Sequence, residues 1–405
     1  METYDACIIG GGLIGLAVGR ALYEQRPGLS LLILEKEDRV AGHQSGHNSG
    51  VIHSGLYYRP GSLKARLAVA GARSMYELCA EAGIAHSRSG KLVIATDRSQ
   101  LPALDELERR GNANGLEGLR RIRREEIREI EPAATGESAL VVPGAGVVDF
   151  REVAQYLARV LAAAGATVDL GSRVTRIRET ATAVEIGVDG SAFRSRLLVN
   201  CAGLHSDRVA RMTGMTPPVQ IIPFRGEYYT MRGGPQVNAL IYPVPDPRFP
   251  FLGVHFTRRV DGSVEVGPNA LVALGREHYR GSRPNWSDVS EMVRYPGFRR
   301  LAWTNLVPGA REFINSKSKR LYSRLAARLV PQLRSEHLEA GGVGVRAQAV
   351  DSQGRLVDDF VIETTEKAVH VLNAPSPGAT ASLAIGDYVA TLIGPLFQGR
   401  GARNV

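Results

Sequence analysis

The stretch from residue 4 to residue 35 constrains the fold more than any other part of this chain. Tyr4 to Gly10 is apolar and partly β-branched, as buried strands are, and Gly10 to Gly15 has the spacing G-x-G-x-x-G. Leu13 to Gln25 has the apolar spacing of a helix, and residues 30–34 form a second apolar strand that leads into Glu35. This order of elements predicts an α/β fold with a Rossmann-like, dinucleotide-binding domain.

Each of the three glycines of this pattern has a structural role in binding a dinucleotide. Gly10 allows the tight turn from strand to helix, Gly12 lets a pyrophosphate approach the backbone, and Gly15 lets the helix pack close to the strand. The N-terminal amides of the helix stabilise phosphate charge. Glu35, 20 residues after Gly15, can accept hydrogen bonds from ribose hydroxyls, and its charge disfavours the 2′-phosphate of NADP.

Composition sets the size and the partner classes. The chain has 405 residues, and 44% of them are hydrophobic, which suffices for two domains. Its net charge is +9, from 50 basic and 41 acidic residues, and admits nucleic acid, an anionic membrane or a carboxylate substrate as partner. Because the arginines are scattered along the chain, we expect a solvated basic surface and no nucleic-acid partner.

Several features bear on the compartment. The chain has three cysteines, an odd number, and no C-x-x-C motif. This predicts a reducing environment and no disulfides. The first strand starts at residue 4 and leaves no room for a signal peptide, so we expect a cytoplasmic protein. Residues 316–334 predict a basic amphipathic helix, which is either a simple surface helix, the favoured interpretation, or a contact with anionic lipid at the inner face of the cytoplasmic membrane.

A loop at residues 42–58 is rich in glycine, serine, histidine and asparagine. Such a loop can wrap a ligand with backbone amides and small hydroxyls. Three histidines lie between residues 43 and 53, but three interspersed glycines argue against the helix that would bring two of them together. We therefore predict a ligand-binding loop and no metal.

The rest of the chain divides between two domains. Leu197 to Gly203 is a further apolar strand with a glycine at its tip, and 369–372 is a last strand before a second glycine-containing turn. Residues 219–268 are aromatic and β-rich, and predict the antiparallel sheet of a second, α+β domain. The predicted boundaries are 1–88, 143–218 and 339–405 for the dinucleotide domain, and 89–142 and 219–338 for the substrate domain.

Further motifs cover nearly the whole chain. They are His43–Gly55, Tyr57–Ala65, Pro223–Tyr228, Pro250–His255, Gly344–Gln348 and Asn373–Pro377. With the glycine turn, Glu35, the strand tip at 200–203 and the turn at 377–380, they resemble the FAD-dependent amine and hydroxyacid oxidoreductases of the D-amino-acid oxidase and glycerol-3-phosphate dehydrogenase superfamily. Within it the chain is closely similar to the L-2-hydroxyglutarate oxidases and dehydrogenases.

This resemblance implies a Rossmann-like FAD-binding domain of the D-amino-acid oxidase (GR2) type. No cysteine lies in the C-terminal turn, so we expect the FAD to be non-covalent. The predicted cofactor contacts are Gly10, Gly12, Leu13, Ile14, Gly15, Glu35, Lys36, Ser45, Gly46, Asn48, Ser49, Val51, Val174, Cys201, Ala202, Gly203, Pro377, Gly378, Ala379 and Thr380.

The resemblance also implies a reaction, the oxidation of L-2-hydroxyglutarate to 2-oxoglutarate by hydride transfer from C2 to flavin N5. A neutral imidazole suits removal of the hydroxyl proton near pH 7. His53 is the first choice for this base and His255 the second.

The substrate is a dicarboxylate, and arginine pairs with carboxylates through two parallel hydrogen bonds. Arg225 and Arg346 are the predicted partners. For both, the alternative is a structural ion pair with Glu227 or another acid, and Arg225 could equally be placed in such a pair. The other predicted substrate contacts are Tyr58, Lys64, Tyr228 and Asn373.

Three alternatives stay open at this point. The chain could be a flavoenzyme for an amine or another hydroxy acid, an NAD-linked dehydrogenase, or a non-catalytic basic module that binds membrane or nucleic acid. The electron acceptor could be oxygen, a quinone or an electron-transfer protein.

Overall fold

The structure is a computed structural model of the chain, and it describes residues 2–245, 253–279, 281, 283–305 and 318–398. Within these residues the strands are β1 (Thr3–Ile9), β2 (Leu31–Leu34), β3 (Val51–Ile52), β4 (His86–Ser87), β5 (Lys91–Ala95), β6 (Arg120–Arg123), β7 (Ser138–Val142), β8 (Gly146–Val148), β9 (Thr167–Asp169), β10 (Val174–Glu179), β11 (Val184–Val188), β12 (Ser191–Asn200), β13 (Val219–Met231), β14 (Leu240–Pro243), β15 (His255–Arg258), β16 (Val264–Gly267), β17 (Leu271–Val272), β18 (Leu338–Asp351), β19 (Val361–Thr364) and β20 (Ala368–Asn373).

The helices of the same residues surround and connect these strands. They are α1 (Leu13–Gln25), α2 (Leu63–Glu81), α3 (Leu101–Ala113), α4 (Arg124–Ile130), α5 (Phe150–Ala163), α6 (Ser206–Met212), α7 (Trp286–Arg294), α8 (Pro296–Thr304), α9 (Lys319–Ala326) and α10 (Ser382–Ile393). Among the described residues, no helix is both long enough and apolar enough to cross a membrane.

An eight-stranded sheet contains the glycine turn. Its strands follow the order β10-β11-β12-β1-β2-β9, and β20 pairs with β12 and with β19. Strands β12, β1, β2 and β9 are parallel neighbours, and β20 runs parallel to β12. The carboxyl ends of these strands therefore meet at one edge, where parallel α/β sheets bind ligands. The Rossmann-like sheet predicted from the sequence is confirmed.

Helices pack closely against this sheet and against each other, and two positions in them require glycine. A Cβ on Gly15 would lie 2.0 Å from the carbonyl oxygen of Gly10, so only glycine lets α1 start directly against β1. A Cβ on Gly386, in α10, would lie 2.6 Å from the backbone of Ala17, in α1. These two helices consequently approach each other at backbone distance over the buried face of the sheet.

A nine-stranded sheet forms the second part of the molecule. Its order is β17-β13-β16-β15-β14-β5-β7-β6, with β18 paired to β13, and every pair is antiparallel except β14 with β5. The predicted antiparallel sheet is confirmed. The boundary at residue 339 differs, because β18 pairs with β13 along nearly its whole length and so belongs to this second sheet.

Some local predictions need correction. The apolar strand predicted from Leu197 to Gly203 begins earlier and ends earlier, because β12 runs from Ser191 to Asn200. The basic helix predicted at 316–334 is described only as α9, with eight residues, and residues 316–317 lie outside the described part. Pro331 cannot continue a helix, and Leu329, Val330 and Leu333 are buried in the core of the second sheet, so those apolar side chains face protein.

Candidate active site

A cavity of about 630 Å³ lies between the two sheets. The strand ends, loops and helix starts of the first sheet form one wall, and residues of β13 and β18 form the other. Its volume lies in the range of small-molecule and cofactor sites. The cavity has a nucleotide end, next to the glycine turn, and a substrate end, next to β13 and β18.

Glu35 is fixed at the nucleotide end by backbone amides. Its Oε2 accepts a hydrogen bond from the Gly11 N–H at 2.8 Å, and its Oε1 accepts one from the Glu37 N–H at 2.9 Å. The side chain is buried and lines the cavity. Two amides thus orient the carboxylate before any ribose hydroxyl reaches it.

The loop at 42–50 folds against the start of α1. The Leu13 N–H donates to Ser45 Oγ at 2.9 Å, and a Cβ on Gly12 would lie 3.0 Å from the same oxygen. Asn48 shapes the loop, since its Nδ2 donates to the carbonyls of Gln44 and Ser45. Gly12 therefore leaves the space in which a phosphate can approach the helix N-terminus.

The C-terminal turn closes the wall through Thr380. Its hydroxyl accepts a hydrogen bond from the His53 N–H at 3.1 Å and donates one to the Val51 carbonyl at 3.2 Å. This buried contact joins two segments that are 327 residues apart in the chain. The loop that carries His53 and the turn at 377–380 consequently form one surface.

These features fit FAD. The glycine cradle, the oriented acid and the helix N-terminus suit the adenosine diphosphate half, and the cavity continues past them to the substrate end. All predicted cofactor contacts except Gly15 and Gly46 lie in the cavity wall. These two glycines act through packing, because a Cβ on Gly46 would lie 2.4 Å from the Ala41 carbonyl oxygen.

One group near the nucleotide end has the composition of a metal site. Glu37, His43 and Glu277 offer ligand atoms within 4.8 Å of one another. However, Lys36 Nζ ion-pairs with both carboxylates and lies 2.7 Å from His43 Nε2. Hydrogen bonds with Lys36 and His43 lower the pKa of Glu37, so the lysine ammonium already supplies the positive charge.

His53 lies in the wall at the substrate end. Its Nδ1 is buried and has no hydrogen-bond partner in the described part of the chain. Burial, followed by the charges of Lys91, His255, Arg346 and Lys64, lowers the pKa of His53 well below 6.5. The free protein therefore holds a neutral imidazole in a group of cationic side chains.

His255 is placed differently. It stacks on Tyr242 with ring centroids 3.9 Å apart, and its Nδ1 lies 2.8 Å from the Gly253 carbonyl. Burial lowers its pKa to about 3. It is absent from the described cavity wall, so of the two predicted bases only His53 reaches the cavity in this structure.

The two arginines predicted to bind the substrate carboxylates have different positions in the structure. Arg346 and Tyr228 line the substrate end. Burial raises the pKa of Tyr228, and the charge and hydrogen bonding of Arg346 oppose that shift, which puts the two side chains in contact. Arg225 is not in the described wall, because its Nη2 pairs with Glu227 at 3.0 Å and its Nη1 donates to the carbonyl of His278.

The remaining predicted substrate contacts serve mainly to hold the chain. Lys64 lines the cavity, but its Nζ donates to the carbonyl and the carboxylate of Asp358, each at 2.8 Å. Tyr58 lies under this ammonium, with its ring centroid 5.0 Å from Nζ. The side-chain amide of Asn373 donates to two backbone carbonyls and lies outside the described wall.

Sequence reasoning missed other residues near the site. Ser172, Arg173, His205 and Arg208 line the cavity, yet no local pattern marks them, and Gln348 lines it from a motif in which only Arg346 is predicted as a contact. Lys91 is also close, since its charge lowers the pKa of His53. In its case a signal existed, because Lys91 starts an otherwise apolar strand and is buried there.

Comparisons with known proteins agree with this geometry. Residues 5–392 match the family described as FAD dependent oxidoreductase. The chain is 46% identical to an L-2-hydroxyglutarate dehydrogenase of Indibacter alkaliphilus, over 95% of this chain and 98% of that one. It is 40% identical to the mitochondrial L-2-hydroxyglutarate dehydrogenase of Homo sapiens, over 98% and 90%. The fold matches an FAD-bound L-α-glycerophosphate oxidase from Mycoplasma pneumoniae, with a TM-score of 0.80, 22% identity and coverage of 100% and 97%.

Proposed function

Because this chain belongs to the FAD dependent oxidoreductase family, we propose that it oxidises L-2-hydroxyglutarate to 2-oxoglutarate with FAD. Relatives named L-2-hydroxyglutarate dehydrogenase match it at 40% to 46% identity over nearly its whole length. The observation that supports the reaction is the substrate end of the cavity, where the neutral, buried His53 and the cation of Arg346 line one pocket.

The residues of the chain divide the work as follows. Arg346 binds one carboxylate of the substrate, and Tyr228 donates to the same group or to the hydroxyl. His53 takes the hydroxyl proton on its imidazole, and the negative charges of the substrate raise its pKa toward the working range. When bound, FAD supplies the isoalloxazine that accepts the hydride from C2.

Anaerobic reduction tests this function. The purified yellow protein is mixed with L-2-hydroxyglutarate without oxygen, and loss of the oxidised flavin absorbance is followed by stopped flow. We expect bleaching by the L isomer, with stoichiometric 2-oxoglutarate, and none by the D isomer. If an amino acid or a monocarboxylic hydroxy acid bleaches the flavin and L-2-hydroxyglutarate does not, the proposed substrate is wrong.

For the electron acceptor we propose a quinone, reached by peripheral contact with an anionic membrane. The net charge of +9 supports this contact. A second support comes from exposed apolar side chains on α7 and α8. Trp286 and Val293, on α7, are 73% and 50% exposed, and Trp303, on α8, is 78% exposed. Exposed tryptophans beside apolar and basic residues are typical of membrane interfaces.

Vesicle sedimentation tests the contact. We expect binding to vesicles that contain anionic lipid and not to neutral vesicles, with a loss of at least about fivefold in a W286A/W303A variant. The matched control is V160A/L170A, which removes two exposed apolar side chains elsewhere. Equal sedimentation of all three proteins, or faster reoxidation by oxygen than by a soluble quinone, would contradict the proposal.

A further inference from the structure

Within the described residues, the substrate end has a shortage of cations for a dianion. The proposed substrate carries two carboxylates, and Arg346 can pair with one. Arg225 is bound to Glu227 and to backbone carbonyls, and the ammonium of Lys64 is bound to Asp358. We propose that Lys91 is the cation for the second carboxylate, the one remote from C2, and that it sets a preference for dicarboxylic over monocarboxylic 2-hydroxy acids. This inference rests on the proposed function.

The register of the second sheet brings Lys91 to the required face. Lys91 opens β5, and its neighbour on the same face, Val93, is paired with Tyr242 of β14. Ile241 pairs with Phe256, which sets Tyr242 beside His255 of β15. Because alternate residues of a strand share a face, Lys91, Tyr242 and His255 form a patch on one side of the sheet. His53, on the facing loop, is close enough to respond to the charge of Lys91.

The described surroundings of the Lys91 ammonium are aromatic. The residue is 2% exposed, and its Nζ lies 4.2 Å from the ring centroid of Tyr242 and 5.2 Å from that of Tyr57. Within the described part of the chain, it forms neither an ion pair nor a hydrogen bond with a carboxylate. Aromatic faces stabilise a buried cation less than a carboxylate does, so the site favours an anionic ligand.

The pKa of the buried Lys91 ammonium gives a second line of support. Burial lowers the pKa of Lys91 to about 7, and the groups that face it are His53, His255, Tyr57 and Tyr242. A carboxylate beside the ammonium would raise this pKa again. Binding of the dianion should therefore be strongest below pH 7, where Lys91 is already protonated, and should weaken above it.

Lys91 is not part of the described cavity wall, but its charge acts on His53, which is part of that wall. Its side chain has four flexible carbons, and the attraction to the tyrosine rings is weak enough to be exchanged for a carboxylate. We therefore expect the ammonium to turn from the tyrosine faces toward the cavity when substrate binds.

Substrate discrimination tests the inference on the holoenzyme. The values of kcat/KM are measured for L-2-hydroxyglutarate and for L-2-hydroxyvalerate, which has a methyl group in place of the remote carboxylate. In K91M, we expect the ratio of the two values to fall about 10- to 100-fold, the usual loss for one charge-assisted contact. The flavin spectrum and the thermal midpoint show whether the variant is folded.

K64M is the matched control, because Lys64 is also a buried lysine but is already paired with Asp358. We expect K64M to change kcat/KM for the two substrates by the same factor. An unchanged ratio in folded K91M overturns the role of Lys91 while the proposed function stands. Failure of L-2-hydroxyglutarate to reduce the wild-type flavin removes the proposed function itself, and this inference with it.

A variant that keeps the charge covers the case in which K91M does not fold. K91R should retain the preference for the dicarboxylate and should abolish the rise of KM above pH 7, because arginine stays protonated there. The KM of L-2-hydroxyvalerate should stay flat with pH in both proteins. A rise of KM that persists unchanged in K91R overturns the inference.

Discussion

The two ends of the cavity are built by different means. At the nucleotide end, backbone amides, glycines and small hydroxyls from three short turns, at 10–15, 42–50 and 377–380, form much of the wall beside the Glu35 carboxylate. At the substrate end, long side chains form the wall, and they come from a loop, from β13 and from β18. One end is made by local backbone geometry and the other by the register of a sheet.

This difference predicts two kinds of failure. Damage to the nucleotide end should release the cofactor, because the backbone itself is the binding group. Damage to the substrate end should leave the flavin bound and change only turnover or substrate affinity, because the side chains there project from strands that are held independently.

The largest effect is expected for Gly15→Ala. The new Cβ would lie 2.0 Å from the Gly10 carbonyl oxygen, so α1 must move away from β1. We expect at least about a 100-fold loss of FAD affinity and a loss of roughly 1–3 kcal/mol in the free energy of unfolding. The ratio of flavin to protein after purification measures the first and denaturant unfolding the second.

A glycine in ordinary surroundings provides the control. Gly394→Ala adds a Cβ whose nearest atoms are 3.7 Å away, at a backbone φ of −46°, and should keep its flavin. If Gly15→Ala retains a full complement of FAD, the nucleotide end does not depend on backbone approach as we infer.

The next effect is expected for His53→Ala. Loss of a general base lowers kcat by about 10² to 10⁴. Flavin content should be unchanged, since the contact of this residue with the C-terminal turn uses its backbone N–H. His255→Ala is the paired variant, because His255 lies outside the described wall. A larger loss of kcat in His255→Ala than in His53→Ala would exchange the two roles.

The same difference explains what the sequence could predict. The glycine turn, Glu35 and the C-terminal turn are local patterns, and the structure places almost all of their predicted contacts in one wall. The substrate end depends on which side chains share a face and on which cations are already paired. The sequence leaves open whether Arg225 binds substrate or pairs with Glu227, and the structure shows that Arg225 meets Glu227 while Arg346, on the neighbouring strand, lines the cavity.

After His53→Ala, the next largest effect is expected for Arg346→Met. It removes the cation that we propose for one carboxylate, so KM for L-2-hydroxyglutarate should rise about 10- to 100-fold with the flavin still bound. Steady-state kinetics give the change, and Arg346→Lys should recover part of it because the charge remains. An unchanged KM in Arg346→Met would place the carboxylate elsewhere.

A smaller effect concerns acid stability. Burial lowers the pKa of His255 to about 3, whereas the unfolded chain titrates this residue near 6.5. The unfolded state binds more protons between these values, so the free energy of unfolding should fall as pH falls below 6.5, by up to about 1.4 kcal/mol per pH unit. His255→Asn should flatten that decline in denaturant titrations at pH 7 and pH 5. Identical slopes for both proteins would show that folding does not lower the pKa of this imidazole.

The smallest effect on turnover is expected for Arg225→Met, and it sharpens the contrast most. This arginine joins Glu227 to the backbone at His278 and Gly281, so it holds a loop of the second sheet and does not reach the described cavity wall. We expect KM to change less than about threefold while the free energy of unfolding falls by roughly 1 kcal/mol, the usual value for a partly buried polar contact. A rise of KM as large as that of Arg346→Met, with no loss of stability, would return Arg225 to the substrate and would remove the need for a second cation at Lys91.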